Sequence, residues 1–269
     1  MTNFWTLFKQ MWSQKQRYIY LVFFINVFAI IFISLMTTMT KDYDMFLFWS
    51  PKPDLAFFWR SNFATLTLYF DVAFCGITCW QNEKINMSQT WHLAAADERK
   101  TYFVNIFSSL MACAWFFLLQ QIVNAILLIP IFGANGLVQA FRDFQLWPAK
   151  YVPWPSVLYH WIFIVLIISF IYVFVSFANF TSRIIADILP FKSTLWIRLF
   201  IIAILVVVAV YSGTIITSHL DSLINTKMLW KAYDPIWLDD LLLVAVSLIL
   251  GLLDLWFVKK FIEPKIKNI

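Results

Sequence analysis

The chain has 269 residues, of which 62% are hydrophobic, 20% aromatic and 13% charged, with a formal net charge of +5. A water-soluble domain holds about 45–50% apolar and about 25% charged residues, and the excess here leaves too little polar surface to cover a core. Composition thus sets aside a soluble globular fold and points to an all-α membrane protein. Its basic residues lie in short segments between apolar runs, a pattern of membrane topology and not of nucleic-acid binding.

Residues 1–17 come first. In NFWTLFKQMWSQKQR, Phe4, Trp5, Phe8, Met11 and Trp12 share one helical face, while Lys9, Gln10, Gln14, Lys15 and Arg17 fall mostly on the other. This predicts an interfacial amphipathic helix lying flat on the inner leaflet before the first span turns upward. The first apolar run starts only at Tyr18 and no small-residue cleavage site follows, so a removable signal peptide is not expected.

Residues 18–269 read as one transmembrane domain. A crossing takes about 20 apolar residues over about 30 Å of hydrocarbon. Six runs qualify: Tyr18–Met36, Asn62–Trp80, Tyr102–Phe132, Val157–Phe180, Leu195–Thr217 and Leu241–Phe261. Backbone groups in lipid must be bonded within their own segment, so each is expected to be helical. Pro130 ends or bends the third. Thirteen Lys and Arg fall on one side of these spans and seven on the other. That bias places both termini and the stretch between the second and third spans in the cytoplasm.

Within the spans, Asp71 lies at the centre of the second. A charged carboxylate there costs at least about 2.5–3.5 kcal/mol on insertion scales. Asn26 of the first span lies at similar depth and is the expected partner. Asp71 then reads either as an interhelical packing device or as a substrate or proton group, protonated by desolvation. Gln120, Gln121 and Asn124 form a polar patch toward the outer end of the third span, lining a path or bonding helix to helix. Asp254 near the inner end of the sixth span pairs with Arg198 of the fifth, or snorkels toward Lys259 and Lys260. Cys75, Cys79 and Cys113 read as small hydrophobes, and His160 as an interface residue with no second ligand for a metal. The outer segments TKDYDMFLFWSPKPDLAFFWR and HLDSLINTKMLWKAYDPIWLDD mix aromatics, prolines and charges. They are expected to dip into or lie on the interface.

The stretch NEKINMSQTWHLAAADERKTYF, Asn82–Phe103, is a polar island between two apolar runs. Asn86 or Ser88 can cap a short helix carrying Trp91 and Leu93. Asp97 and Glu98 sit at the positive end of the third span's helix dipole, ahead of Arg99 and Lys100. Such a knob reads as a docking surface for a cytoplasmic partner, or as a helix resting on the membrane.

Extended to NEKINMSQTWHLAAADERKTYFVNIFSSL, this stretch resembles the first cytoplasmic loop of type-2 ABC exporter permeases. Glu83, Ser88, Gln89, Thr90, Trp91, Leu93, Asp97, Lys100 and Tyr102 match that pattern; where the family often has Pro after the Leu, this chain has Ala94 and Ala95. The resemblance implies six spans, an N-terminal interfacial helix, cytoplasmic termini, and a short coupling helix within about residues 82–101. It also implies ATPase-coupling roles for Glu83, Ser88, Gln89, Trp91, Leu93, Asp97 and Lys100. The expected protein is then the permease subunit of an ATP-driven exporter in a bacterial cell membrane, paired with a second copy or a sister permease.

A phosphate-cradling loop needs closely spaced glycines before a Lys and a Ser or Thr, and none of the five glycines has that setting. ATP and Mg are therefore expected on a separate ATPase subunit, with no cofactor, metal or catalytic residue on this chain. No Ser–His, paired-Asp or His-rich constellation shares a depth, which argues against a membrane enzyme. The other reading is a stand-alone gradient-driven transporter built around Asp71.

Overall fold

The computed structural model describes residues 3–40, 55–88, 91, 97–132, 154–188, 194–226 and 236–261. Its long elements are α1 (Phe4–Thr40), α2 (Leu55–Asn86), α3 (Glu98–Phe132), α4 (Trp154–Ile188), α5 (Thr194–Thr226) and α6 (Ile236–Lys260). Among the described residues all regular structure is helical. Five of the six, α1, α3, α4, α5 and α6, are long and apolar enough to cross a membrane. This is a multi-pass membrane protein. The remaining helix, α2, has 32 residues, about 48 Å at 1.5 Å each, and carries Arg60, Asp71, Glu83 and Lys84 along its length.

The N-terminus departs from expectation. No turn separates an interfacial helix from the first span, because residues 4–40 form one unbroken helix of 37 residues. Its buried face continues across the expected boundary through Leu7, Met11, Lys15, Ile19, Val22, Asn26 and Ile30. These lie three or four positions apart, so they form a single stripe. Lys9, Gln10, Gln14 and Arg17 are exposed as expected, but Lys15 is fully buried.

The outer segments are described only in part. Residues 41–54 and 227–235 lie outside the described residues, and the flanking parts belong to α2, α5 and α6 themselves. Helix α3 runs through Pro130 and ends two residues later at Phe132.

The chain divides into two compact units. One takes residues 8–81 and 107–152, hence most of α1, α2 and α3. Its apolar core joins Ile19 and Val22 of α1, Phe74 of α2, and Ala112 and Phe116 of α3. The Phe74 and Phe116 rings stack with centroids 4.5 Å apart. The other unit takes residues 1–7, 82–106 and 153–269. Here α4 packs chiefly on α6 and then on α5, and Tyr102, Phe180 and Val258 make a small core. Lipid tails are as apolar as Leu, so burial alone gives membrane helices little preference for one another; close packing and interhelical hydrogen bonds decide the arrangement. Polar contacts are therefore the informative ones.

Candidate functional site

The Asn82–Phe103 segment starts as the last turn of α2. The Met87 N–H donates to the Glu83 carbonyl at 3.1 Å and the Ser88 N–H to the Ile85 carbonyl at 3.0 Å. A further turn follows, the Trp91 N–H donating to the Ser88 carbonyl at 3.1 Å. Trp91 is helical; Gln89, Thr90 and Leu93 lie outside the described residues. Asp97 caps α3. Its Oδ1 accepts the Arg99 N–H at 3.1 Å, and its carbonyl accepts the Thr101 N–H at 3.0 Å. Together with Glu98 in the first turn, this puts two acidic groups at the positive end of the helix dipole, where they stabilise it. Lys100 is partly buried in the same first turn. Trp91, Asn86, Glu98, Thr101 and Tyr102 line a small cleft closed by Ile85 and Val258.

Behind that cleft lies a hydrogen-bonded network within one unit. Glu83 Oε1 accepts from the Ser176 hydroxyl of α4 at 2.7 Å, and Glu83 Oε2 from the Asn179 side-chain amide. The Asn179 Oδ1 in turn accepts from Arg198 Nη2 of α5 at 2.7 Å. On the α3 side, Asn105 Nδ2 donates to the Asn82 carbonyl at 3.0 Å and to Asn86 Oδ1 at 2.9 Å. The Tyr102 hydroxyl donates to Asp254 Oδ2 of α6 at 2.5 Å. Burial raises the Glu83 carboxyl above the usual carboxylate range, against the Ser176 and Asn179 hydrogen bonds and the Arg183 charge, which pull it down. Ends of five helices, α2 through α6, are thereby tied to residues 82–105.

Two expected pairings are replaced. Arg198 bonds Asn179 and not Asp254, and Asp254 takes Tyr102 in place of Arg198, Lys259 or Lys260. Lys260 instead lies 5.2 Å from the Trp256 ring centroid. Depth along the helices allows the expected pairs, but the rotation of each helix about its axis, set by packing, brings Asn179 to Arg198 and Tyr102 to Asp254. Asp71 interacts with Gln120 of α3, while Asn26, its expected partner, has neither side-chain atom in a hydrogen bond among the described residues. Asn26, Gln120 and Asn124 are almost wholly buried, at 1%, 1% and 2% exposure, and Gln121 is buried as well.

Sequence reasoning missed Tyr102 as an anchor, and it missed Ser176 and Asn179. Their signal was there: Ser176, Asn179 and Arg183 recur at helical spacing in an otherwise apolar run. It also missed Lys15, whose Nζ donates to Ser108 Oγ at 2.7 Å and Ser109 Oγ at 2.6 Å. The adjacent serines in the third span were the only hint.

At the other end of α4, His160 lies within electrostatic reach of Asp240 on α6. Among the described residues no three His, Cys, Asp or Glu side chains gather as metal ligands, and Cys75, Cys79 and Cys113 form no disulfide. Compared with family models, curated proteins and solved structures, the chain matches none of them.

Proposed function

We propose that this chain is the membrane-spanning subunit of an ATP-driven exporter of the type-2 ABC permease kind. It spans a bacterial cell membrane six times, α2 included, with both termini in the cytoplasm. A separate ATPase, carrying ATP and Mg, docks on the segment around Trp91. The permease works as a dimer with itself or with a sister permease.

The observation that carries this reading is the attachment of residues 82–105 to α4, α5 and α6. Glu83 reaches Ser176 and Asn179, Asn179 reaches Arg198, and Tyr102 reaches Asp254. A push on the segment is thus delivered to three further helices through hydrogen bonds that leave the buried groups little freedom to slip. A connecting loop needs no such fastening; a lever does. The resemblance of the segment and the lack of a phosphate-binding loop in the sequence support the same reading.

The test is purification of the tagged chain from its native membrane, followed by assay of bound Mg-ATPase and of ATP-driven substrate movement. Association that is lost in Trp91→Ala supports the proposal. A single purified chain that transports in liposomes under a proton or sodium gradient, with no ATPase present, replaces it with the gradient-driven reading.

A further inference from the structure

In the unit formed by α1, α2 and α3, the apolar layer of Ile19, Val22, Phe74 and Phe116 is followed by a polar one. Four positions on from Val22 stands Asn26, and four on from Phe116 stands Gln120. Helix α2 runs the opposite way in sequence, so three and seven positions back from Phe74 stand Asp71 and Thr67. Residues three, four or seven apart share a helix face, so these four continue the same interface. Asn26 is 1% exposed, Thr67 2% and Gln120 1%. Beyond them Ile30 and Phe63, both 2% exposed, close the layer with apolar side chains again, and buried Asn124 follows Gln120 by one turn.

Every one of these neutral groups has unmet hydrogen-bonding capacity among the described residues. That holds for Nδ2 and Oδ1 of Asn26, Oγ1 of Thr67, Nε2 and Oε1 of Gln120, and Oδ1 of Asn124. Asp71 comes within hydrogen-bonding reach of Gln120, but the approach does not meet the geometry that would satisfy either Gln120 amide atom. Buried amides and hydroxyls are paired in the great majority of cases, and an orphan costs about 1–3 kcal/mol. The unmet atoms of Asn26, Thr67 and Gln120, with the Oδ1 of Asn124, lie on the interface that carries Asp71 and are not explained as helix-to-helix bonding, because they do not bond one another.

We propose that this layer is a binding site for a single positive charge, either an alkali-metal cation or an organic ammonium group. Asp71 supplies the charge, and the oxygens of Asn26, Thr67, Gln120 and Asn124 supply the neutral contacts that hard cations take. The amide N–H groups are left to the carboxylate and to water entering with the ligand. The site stands on these three helices alone and does not depend on an ATPase partner.

The test uses the full chain in lipid nanodiscs, with thermal unfolding read by tryptophan fluorescence. Sodium, potassium and n-butylammonium chlorides are titrated separately against N-methylglucamine chloride, whose bulk does not fit between packed helices. A saturable rise of several degrees, developed by about 100 times the dissociation constant, is expected with at least one of the three. A rise with sodium or potassium identifies an inorganic ion, and a rise with n-butylammonium alone identifies an amine-bearing ligand. The rise should be abolished in Asp71→Asn and weakened several-fold in Gln120→Met. No rise beyond the N-methylglucamine control overturns the proposal, and so does a rise that persists unchanged in Asp71→Asn. Should either variant fail to fold, the comparison of cations on the unaltered chain still decides. Loss of this site would leave ATPase association untouched, so the two readings fail separately.

Discussion

Tyr102 at the start of α3 and Asp254 near the end of α6 are 152 positions apart in sequence and 2.5 Å apart in space. Asp254 is fully buried, and its other oxygen has no hydrogen-bond partner among the described residues. The phenol is therefore the group that makes burying this carboxyl tolerable, and it fastens the Asn82–Phe103 segment to α6.

Removing that hydroxyl should be expensive. Tyr102→Phe leaves the ring packing on Phe180 in place but strands a buried carboxyl, at a cost of about 1–3 kcal/mol. Asp254→Leu removes the acceptor as well, so the double variant Tyr102→Phe/Asp254→Leu should be more stable than the sum of the single changes predicts. Thermal unfolding of the four proteins in one lipid system completes the cycle. Strict additivity would mean that the pair is not coupled.

Glu83 gives a sharper contrast. Because burial already works against its charged form, Glu83→Gln keeps an acceptor, sheds the charge and should fall within about 1 kcal/mol of the parent. Glu83→Ala leaves the Ser176 hydroxyl and the Asn179 amide without their acceptor, a loss of about 1–3 kcal/mol. Denaturation of the two variants side by side checks the order; equal losses would contradict it.

Lys15 inverts the usual expectation for a buried cation. Lys15→Met keeps the volume and removes the charge, so stability should change by about 1 kcal/mol or less in either direction. The double change Ser108→Ala/Ser109→Ala takes away two hydrogen bonds to an ammonium that stays buried, and should cost about 3 kcal/mol or more. If the serine variant proves the milder of the two, the ammonium is held by something other than those hydroxyls.

How much of this was legible beforehand follows from where the signals lie. Apolar runs longer than a bilayer is thick declare themselves, which is why five of the expected spans fall on helices long and apolar enough to cross a membrane. Asp97 and Glu98 were readable because capping is local: an acidic pair directly ahead of an apolar run leaves little choice. Lys15 was not readable, since the periodicity of residues 4–17 says only which side is polar. It cannot say that one lysine on that side meets Ser108 and Ser109 ninety-odd positions away. The partners of Asp71 and Asp254 failed for the same reason. Depth along a helix is legible, but rotation about its axis is set by packing, and rotation chose Gln120 over Asn26 and Tyr102 over Arg198.

Asp97 separates structure from docking. Asp97→Asn retains an acceptor for the Arg99 N–H and should leave stability almost unchanged, whereas Asp97→Ala forfeits the cap at about 0.5–2 kcal/mol. If the segment docks a partner through charge, Asp97→Asn should weaken ATPase association without lowering the unfolding temperature. Parallel loss of both would assign Asp97 to the helix end alone.

The most direct measurement is retention of an ATPase by the full-length chain purified from its native membrane, compared with Trp91→Ala of matched unfolding temperature. The proposed role predicts that the parent carries Mg-ATP hydrolysis through purification and that the variant loses it together with transport. A Trp91→Ala protein that keeps both would show that the Asn82–Phe103 segment is not where an ATPase drives this chain.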